Sequence, residues 1–323
     1  DDRFEGLRQL VKPGAPGGPA PLDGTIALIN EVYALLNAAD TAVKGGNAPP
    51  PSEVPNKVKG EAARLPEPLR SLMNTLSASS GAAVAREMRS NISSGVNSSI
   101  GEFCRQAITG RYPFSRNSTT DVTQDDFSRL FSPGGLFDEF FQKNLAALVD
   151  TNTRPWSFRQ IGETSLGKDS GTLAQFQRAA VIRDTFFRSG GKAAGLRLDF
   201  KPQEMDESIT QFTLDLDGQL VKYAHGPQIP TAVQWPGPKG STQVRVQLQP
   251  ALPGGISGMT TEGPWALFRM FDKLNLVRSG GPERFKVTFN VDGRKATFEV
   301  TASSVVNPFK LPELASFGCP SAI

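Results

Sequence analysis

The sequence predicts an α+β protein, with an N-terminal all-helical domain followed by a C-terminal antiparallel β-sandwich domain. Three observations predict it. Apolar residues recur every three or four positions as far as Gly190-Gly191, and every second position after it. Two Asp-Gly pairs, Asp217-Gly218 and Asp292-Gly293, sit between alternating runs, where they read as type I′ hairpin turns. The stretch from Phe103 to Phe141 holds seven of the 21 Phe residues, a density that predicts a core where several segments meet. The expected boundaries are an arm and Pro/Gly linker over 1–21, a helical domain over 22–189 and the β-sandwich over 190–323.

In the arm, Phe4, Leu7, Leu10 and Val11 have helical spacing, and KPGAPGGPAP stops the helix. Leu22 to Val43 is amphipathic: Ile26, Ile29, Tyr33 and Leu36 form one apolar stripe, with Leu28, Val32 and Leu35 beside it. Gly45-Gly46 and the prolines at 49–51 end it. Ser52 is a candidate N-cap for a short helix through Arg64, and Pro66 and Pro68 open another over Leu69 to Leu76. Gly81 to Thr109 reads as a separate long helix on Val84, Met88, Ile92, Val96, Ile100, Phe103 and Ala107. Its Ser/Asn-rich middle has weak helix propensity, so packing must hold it.

Gly110 ends that helix, and Pro113 pushes Tyr112 into an extended elbow. Thr123 can cap the next helix, with Asp125 and Asp126 in the first turn, where the helix dipole favours them. Ser132-Pro133-Gly134-Gly135 breaks it, and Leu136 to Val149 resumes with Phe137, Phe140, Phe141, Leu145 and Leu148 inward. Gly171 to Arg188 is the last helix before the period changes.

Leu196, Leu198 and Phe200 then alternate with Arg197, Asp199 and Lys201. Counting outward from Asp217-Gly218 pairs Leu214 with Val221 and Phe212 with Tyr223. Val244, Val246 and Leu248 alternate again. Around Asp292-Gly293 the pairs are Phe289–Ala296, Val287–Phe298 and Phe285–Val300 on one face. The other face pairs Asn290–Lys295, Thr288–Thr297 and Lys286–Glu299, so one side is apolar and buried. Pro264 to Leu276 is a short amphipathic helix or turn region, and the chain closes with an apolar, proline-containing tail.

Composition excludes several classes. The 35 basic and 32 acidic residues leave a net charge of +3 and no dense basic run, which argues against nucleic acid. No run of 18 apolar residues exists to span a bilayer. The opening DDRFEGLRQL is acidic and amphipathic, with no signal-peptide pattern, as expected of a segment of something longer. The two cysteines, Cys104 and Cys319, allow one disulfide, which would suit an oxidising compartment. Cys104 lies in line with Ile100, Phe103, Ala107 and Ile108, which favours a small core thiol instead.

The chemistry of catalysis is thin. One histidine, His225, leaves no second imidazole for a His-rich metal site, and no G-x-S-x-G elbow, P-loop or dinucleotide fingerprint occurs. Asp125-Asp126 suit a helix start, and Asp215 and Asp217 suit a strand edge and its turn. The expectation is a non-enzymatic protein that acts through contacts, with no cofactor and no metal. Two other classes need separating from it: a hydrolase using Asp125 or His225, and a carbohydrate- or peptidoglycan-binding module resting on an exposed Trp235.

A set of residues says more. Arg111-Tyr112-Pro113-Phe114, Asp125-Asp126-Phe127, Phe131, Pro133-Gly134-Gly135-Leu136-Phe137-Asp138, Phe140-Phe141, Trp156 and the terminal Phe317-Gly318-Cys319-Pro320 stand in this order. With helices preceding a β region, the chain resembles the periplasmic C-terminal region of the TssM (IcmF) family. These are inner-membrane core components of type VI secretion systems. The resemblance implies a parent anchored in the bacterial inner membrane, with this part in the periplasm. It implies that the β domain binds the outer-membrane lipoprotein TssJ. It also implies that the parent assembles with TssL and further TssM copies into a complex bridging the two membranes. It implies no catalytic residue. The apolar content of RYPF and PGGLF argues that both pack the helical core.

Candidate partner-binding residues lie in two places. Trp235, with Gln234 and Lys239, sits in the Pro/Gly-framed loop over 227–241, where a tryptophan is either an interface anchor or a cap on the sandwich. Phe309, Leu311 and Phe317 lie in the tail, where packing back on the domain is preferred to docking a partner.

Overall fold

The structure, a computed structural model, describes residues 4–44, 52–159, 166, 171–188, 190–238, 243–256 and 258–321. The chain forms two compact units: residues 1–99 with 141–174 and 320–323, and residues 100–140 with 175–319.

The first unit holds α1 (Glu5–Leu10), α2 (Pro21–Lys44), α3 (Val54–Ala62), α4 (Leu69–Val96) and a short pair, β1 (Val149–Asp150) with β2 (Ser157–Phe158). Its core is aliphatic: Val32, Val58, Ala62, Leu65 and Met73, with Leu10, Leu28, Val54, Leu69 and Leu76 packed against it. Ser52 accepts from the Val54 N–H at 3.2 Å, as an entry to α3. Two expectations change here. The helices expected over 69–76 and from 81 onward are one, α4, with no break at Gly81. Ser77, Ser80 and Gly81 are buried, and the Ser77 hydroxyl donates to Pro55 O at 2.6 Å. Small residues here let α3 approach, so they serve packing and not interruption. On α2 the buried line is Thr25, Val32, Leu35 and Ala39, while Ile26, Ile29, Tyr33 and Leu36 are exposed. Both lines have helical spacing, and α3 and α4 cover only the first.

The second unit starts at Ile100, inside a π-helical turn, Asn97–Gly101, that leads into α5 (Glu102–Ile108). There follow α6 (Gln124–Phe131), α7 (Leu136–Phe140) and α8 (Thr172–Phe186). Thr123 caps α6 as expected, accepting from Asp126 N at 3.0 Å. The SPGG break is required sterically: Gly134 has φ +71°, and a Cβ on Gly135 would lie 2.9 Å from the carbonyl oxygens of Arg129 and Ser132.

Among the described residues nine strands then build two antiparallel sheets: β3 (Leu196–Met205), β4 (Gln211–Leu216), β5 (Gln219–Tyr223), β6 (Thr231–Trp235), β7 (Gln243–Gln249), β8 (Gly258–Glu262), β9 (Asn275–Arg278), β10 (Arg284–Val291) and β11 (Arg294–Ala302). The orders are β6-β3-β11-β10-β9 and β5-β4-β7-β8. Their apolar faces meet at Phe212, whose ring lies 4.6 Å from Phe298 and 5.1 Å from Phe289. Both expected hairpin registers hold pair for pair. The stretch expected as a loop over 227–241 contains β6, an edge strand flanked by Pro230 and Pro236, where proline is tolerated. Between β8 and β9 lies α9 (Ala266–Asp272), which is buried on nearly every side and not amphipathic.

The tail over 303–321 returns to this unit through a 3₁₀ turn, Pro308–Lys310, and α10 (Pro312–Ser316). It brings Cys319 to Cys104, and the two form a disulfide with Sγ–Sγ 2.07 Å. The free core thiol expected for Cys104 is therefore replaced by half of a disulfide. Cys104 is buried as the helix pattern requires, but its partner lies 215 residues away, beyond the reach of local pattern.

Candidate functional site

The RYPF elbow is a structural hub. Two backbone bonds of Tyr112 close the loop that follows it: Tyr112 N donates to Thr120 O, and Tyr112 O accepts from Val122 N, each at 2.8 Å. The Tyr112 hydroxyl donates to the Asp272 carboxylate at 2.8 Å, and Arg116 pairs with the same carboxylate. Arg269 pairs with Asp121, donates to Ser118 O at 2.9 Å and lies 4.1 Å over the Tyr112 ring. Burial first, then the Asp272 carboxylate, holds the Tyr112 phenol above its ordinary range. The loop over 111–122 is thus riveted to α9 by charge and by hydrogen bonds.

Beneath it runs a continuous aromatic core. Phe317 meets Phe131 and Phe137 edge to face and Phe114 at a tilt, with ring centroids 5.1–5.6 Å apart. Phe131 meets Phe127 at 5.0 Å, and Phe127 meets Trp265 at 5.1 Å. Trp265 meets Trp235 at 4.9 Å and Phe268 at 5.1 Å, and Phe268 meets Phe309 at 4.5 Å. The indole N–H groups are satisfied: Trp265 donates to Val122 O at 2.8 Å, and Trp235 to Pro264 O at 3.3 Å.

Four of the six sequence-predicted binding residues therefore belong to this core. Trp235 is 1% exposed, and Phe309, Leu311 and Phe317 are buried with it. None offers a partner its ring or chain without leaving the core. Gln234 is exposed, but its backbone is engaged: Gln219 donates to Gln234 O and accepts from Gln234 N, both at 2.8 Å. That side-chain amide takes the place of a strand against the β6 edge. Lys239 lies outside the described residues.

Leu220 on β5, Val277 on β9 and Val305 after β11 are exposed singly, and a further group of exposed apolar residues lies on loops. At the end where β3 finishes, β4 begins and β10 turns into β11, the connecting loops carry Ile229 (68% exposed), Leu252 and Ile256 (76%). These loops are fastened at their bases. Gln228 donates to Gln203 O at 2.8 Å, Arg294 to Pro250 O at 2.8 Å, and Ile256 N to the Asp292 carboxylate at 3.3 Å. Asp206 at the same end has its carboxyl held below the ordinary carboxylate value by the Ser208 hydroxyl and N–H. Large apolar groups on fastened, solvent-facing loops are what a contact surface requires. Sequence reasoning missed them because single isoleucines in PQIPT and PGGIS carry no period; their isolation in Pro/Gly frames is the only signal.

The residues considered for catalysis are apart in role. His225 Nε2 is bonded to Ile209 O at 2.7 Å in the β5–β6 connection, and Asp125 occupies the first turn of α6. Among the described residues no group of three His, Cys, Asp or Glu could hold a metal ion. No helix of the described residues is long and apolar enough to cross a membrane.

Comparison with known proteins adds identity to this geometry. The type VI secretion protein IcmF helical domain matches residues 89–192, and the IcmF C2-like domain matches residues 198–304. Type VI secretion system component TssM1 of Pseudomonas aeruginosa PAO1 is 36% identical over 325 residues, covering 99% of this chain. The chain spans 30% of that relative's length. The solved C-terminal domain of the T6SS protein TssM from EAEC has the same fold, with TM-score 0.61, 20% identity, 73% of this chain and 98% of that one covered. A chain of a type VI secretion system membrane core complex aligns over 99% of this chain and 69% of its own, with TM-score 0.75 and 17% identity. With two domains of one family matched in succession and the identity to TssM1 running through nearly every residue, the chain belongs to the IcmF family of type VI secretion proteins.

Proposed function

We propose that this chain is a non-enzymatic scaffold segment of a type VI secretion membrane core complex, standing in the periplasm as part of a parent anchored in the inner membrane. The observation that carries the reading is the 36% identity to TssM1 over 99% of the chain. The Cys104–Cys319 disulfide supports the location, because such bonds persist in oxidising compartments such as the periplasm. The division of labour follows the sequence: a helical portion over 22–189 and a β portion over 190–323 that carries the contact to the outer membrane.

In this reading the β portion binds the lipoprotein TssJ, and the parent meets TssL and further copies of itself, so that the complex bridges inner and outer membranes. The contact falls on the loop end with Ile229, Leu252 and Ile256. Trp235, Phe309, Leu311 and Phe317 belong to the buried core at the other end of the sheets, where Gln234 closes the edge of β6. The carbohydrate-binding alternative has little to rest on, since Trp235 has no free face on which a sugar could stack.

Calorimetric titration of the full 323-residue chain with the soluble part of a TssJ lipoprotein tests the reading. The full chain is needed, because the sheets share their aromatic core with α6 and their disulfide with α5. Saturable one-to-one binding is expected. Absence of heat and of co-elution from a folded chain would remove TssJ from the proposal.

A further inference from the structure

The two cysteines of the disulfide differ in exposure. Cys104 is 0% exposed on the inner face of α5, among Ala107 and Ile108. Cys319 is half-buried and borders a surface cleft of about 360 Å³ lined by Arg105, Ile108, Phe114, Phe317 and Gly318 among others; Cys104 does not line it. Thiol–disulfide exchange needs a thiolate to reach one sulfur, and a nearby cation favours that thiolate. Arg105 supplies such a cation at the cleft.

We infer that Cys319 is the exchange sulfur of this protein, through which an external dithiol–disulfide reagent opens and closes the bond while the fold stays intact. In opening, the reagent thiolate attacks Cys319 Sγ. A new sulfur–sulfur bond forms there, the Cys104–Cys319 bond breaks, and its electron pair leaves on Cys104 Sγ, which takes a proton. The second thiol of the reagent then attacks its own sulfur in the mixed disulfide, so Cys319 leaves as a thiolate and the reagent departs oxidised. Closing is the reverse: Cys319 attacks an oxidised reagent, Cys104 displaces it, and the reagent departs as the dithiol. A thiolate on Cys104 is poorly solvated in its apolar site, so it returns to Cys319 readily. A single thiol therefore opens the bond poorly, and a dithiol opens it well. Opening removes the covalent anchor of the tail and leaves the Gly318 N–H on Gln175 Oε1 and the Phe317 ring between Phe114, Phe131 and Phe137 to hold it.

Two measurements test this. In the native full chain, opening by dithiothreitol should rise in proportion to the reagent and be unchanged by sub-denaturing urea; acceleration by urea in step with global unfolding would overturn the inference. In the Cys104→Ala chain, glutathione disulfide should modify Cys319 at least tenfold faster than it modifies Cys104 in the Cys319→Ala chain. Equal rates, or the reverse order, would overturn it as well.

Discussion

The aromatic cluster at one end of the paired sheets and the isoleucines at the other are treated in opposite ways. Where β3 begins and β6 finishes, Trp235, Trp265, Phe268 and Phe309 are at most 2% exposed and touch ring to ring. Where β3 finishes and β4 begins, Ile229 and Ile256 stand 68% and 76% exposed on loops held by hydrogen bonds from Gln228 and from the Ile256 N–H. The first end is joined to α6, α9 and the tail and exists for folding. At the second end Ile229, Leu252 and Ile256 face solvent. Aromatic residues, which attract attention as interface anchors, are buried here, and the plain isoleucines are exposed.

The contrast can be broken or sharpened by substitution. The largest effect is expected at Trp265→Ala, which removes a fully buried ring and the bond to Val122 O. It should cost about 3–5 kcal/mol, read by urea denaturation of the full chain. A loss below about 1 kcal/mol would mean that the aromatic end is not the core described. Removing the disulfide, by reduction or by Cys319→Ala, should cost about 2–5 kcal/mol in the same assay. Thr123→Ala removes the cap of α6 and should cost about 1 kcal/mol, leaving the loop end unaffected.

The Tyr112 phenol provides a pH signature of the folding end. Its folded pKa is raised above the ordinary value of 10.0, so its contribution is complete below that pH and is lost as pH rises further. Stability should therefore fall at alkaline pH in the natural chain, and Tyr112→Phe should flatten that fall; an unchanged alkaline slope would contradict the Tyr112–Asp272 contact. The smallest effect on stability belongs to Ile229→Asp with Ile256→Asp, within about 0.5 kcal/mol of the natural chain. The same pair should weaken binding to a TssJ lipoprotein at least tenfold.

Much of the fold was legible because local pattern and tertiary burial agree there. The two Asp-Gly hairpins alternate cleanly, so counting outward from each turn recovers every pair of the register. Thr123 and the SPGG break were legible for the same reason, since capping and glycine geometry act within four residues. The failures lie where neighbours distant in sequence decide. The exposed stripe Ile26–Leu36 and the buried line Val32–Ala39 have the same period, and only α3 and α4 choose between them. Ser77, Ser80 and Gly81 read as a break until α3 is seen against them. Cys104 was read as a core residue, which it is, but its bond depends on a tail returning from 215 residues away. β6 was hidden by the prolines on either side of a five-residue strand. Of the candidate site, Trp235 and the tail were singled out by residue type, which reports on burial and on binding alike.

The central claim is that the loop end, and not the aromatic end, meets the lipoprotein. Amide hydrogen exchange of the full chain with and without the soluble part of a TssJ lipoprotein tests it directly. The account predicts slowed exchange on binding in the loops over 224–230 and 250–256, with no change around Trp235, Phe309 and Phe317. Protection confined to 234–238 and 308–319, with the loops unchanged, would contradict it.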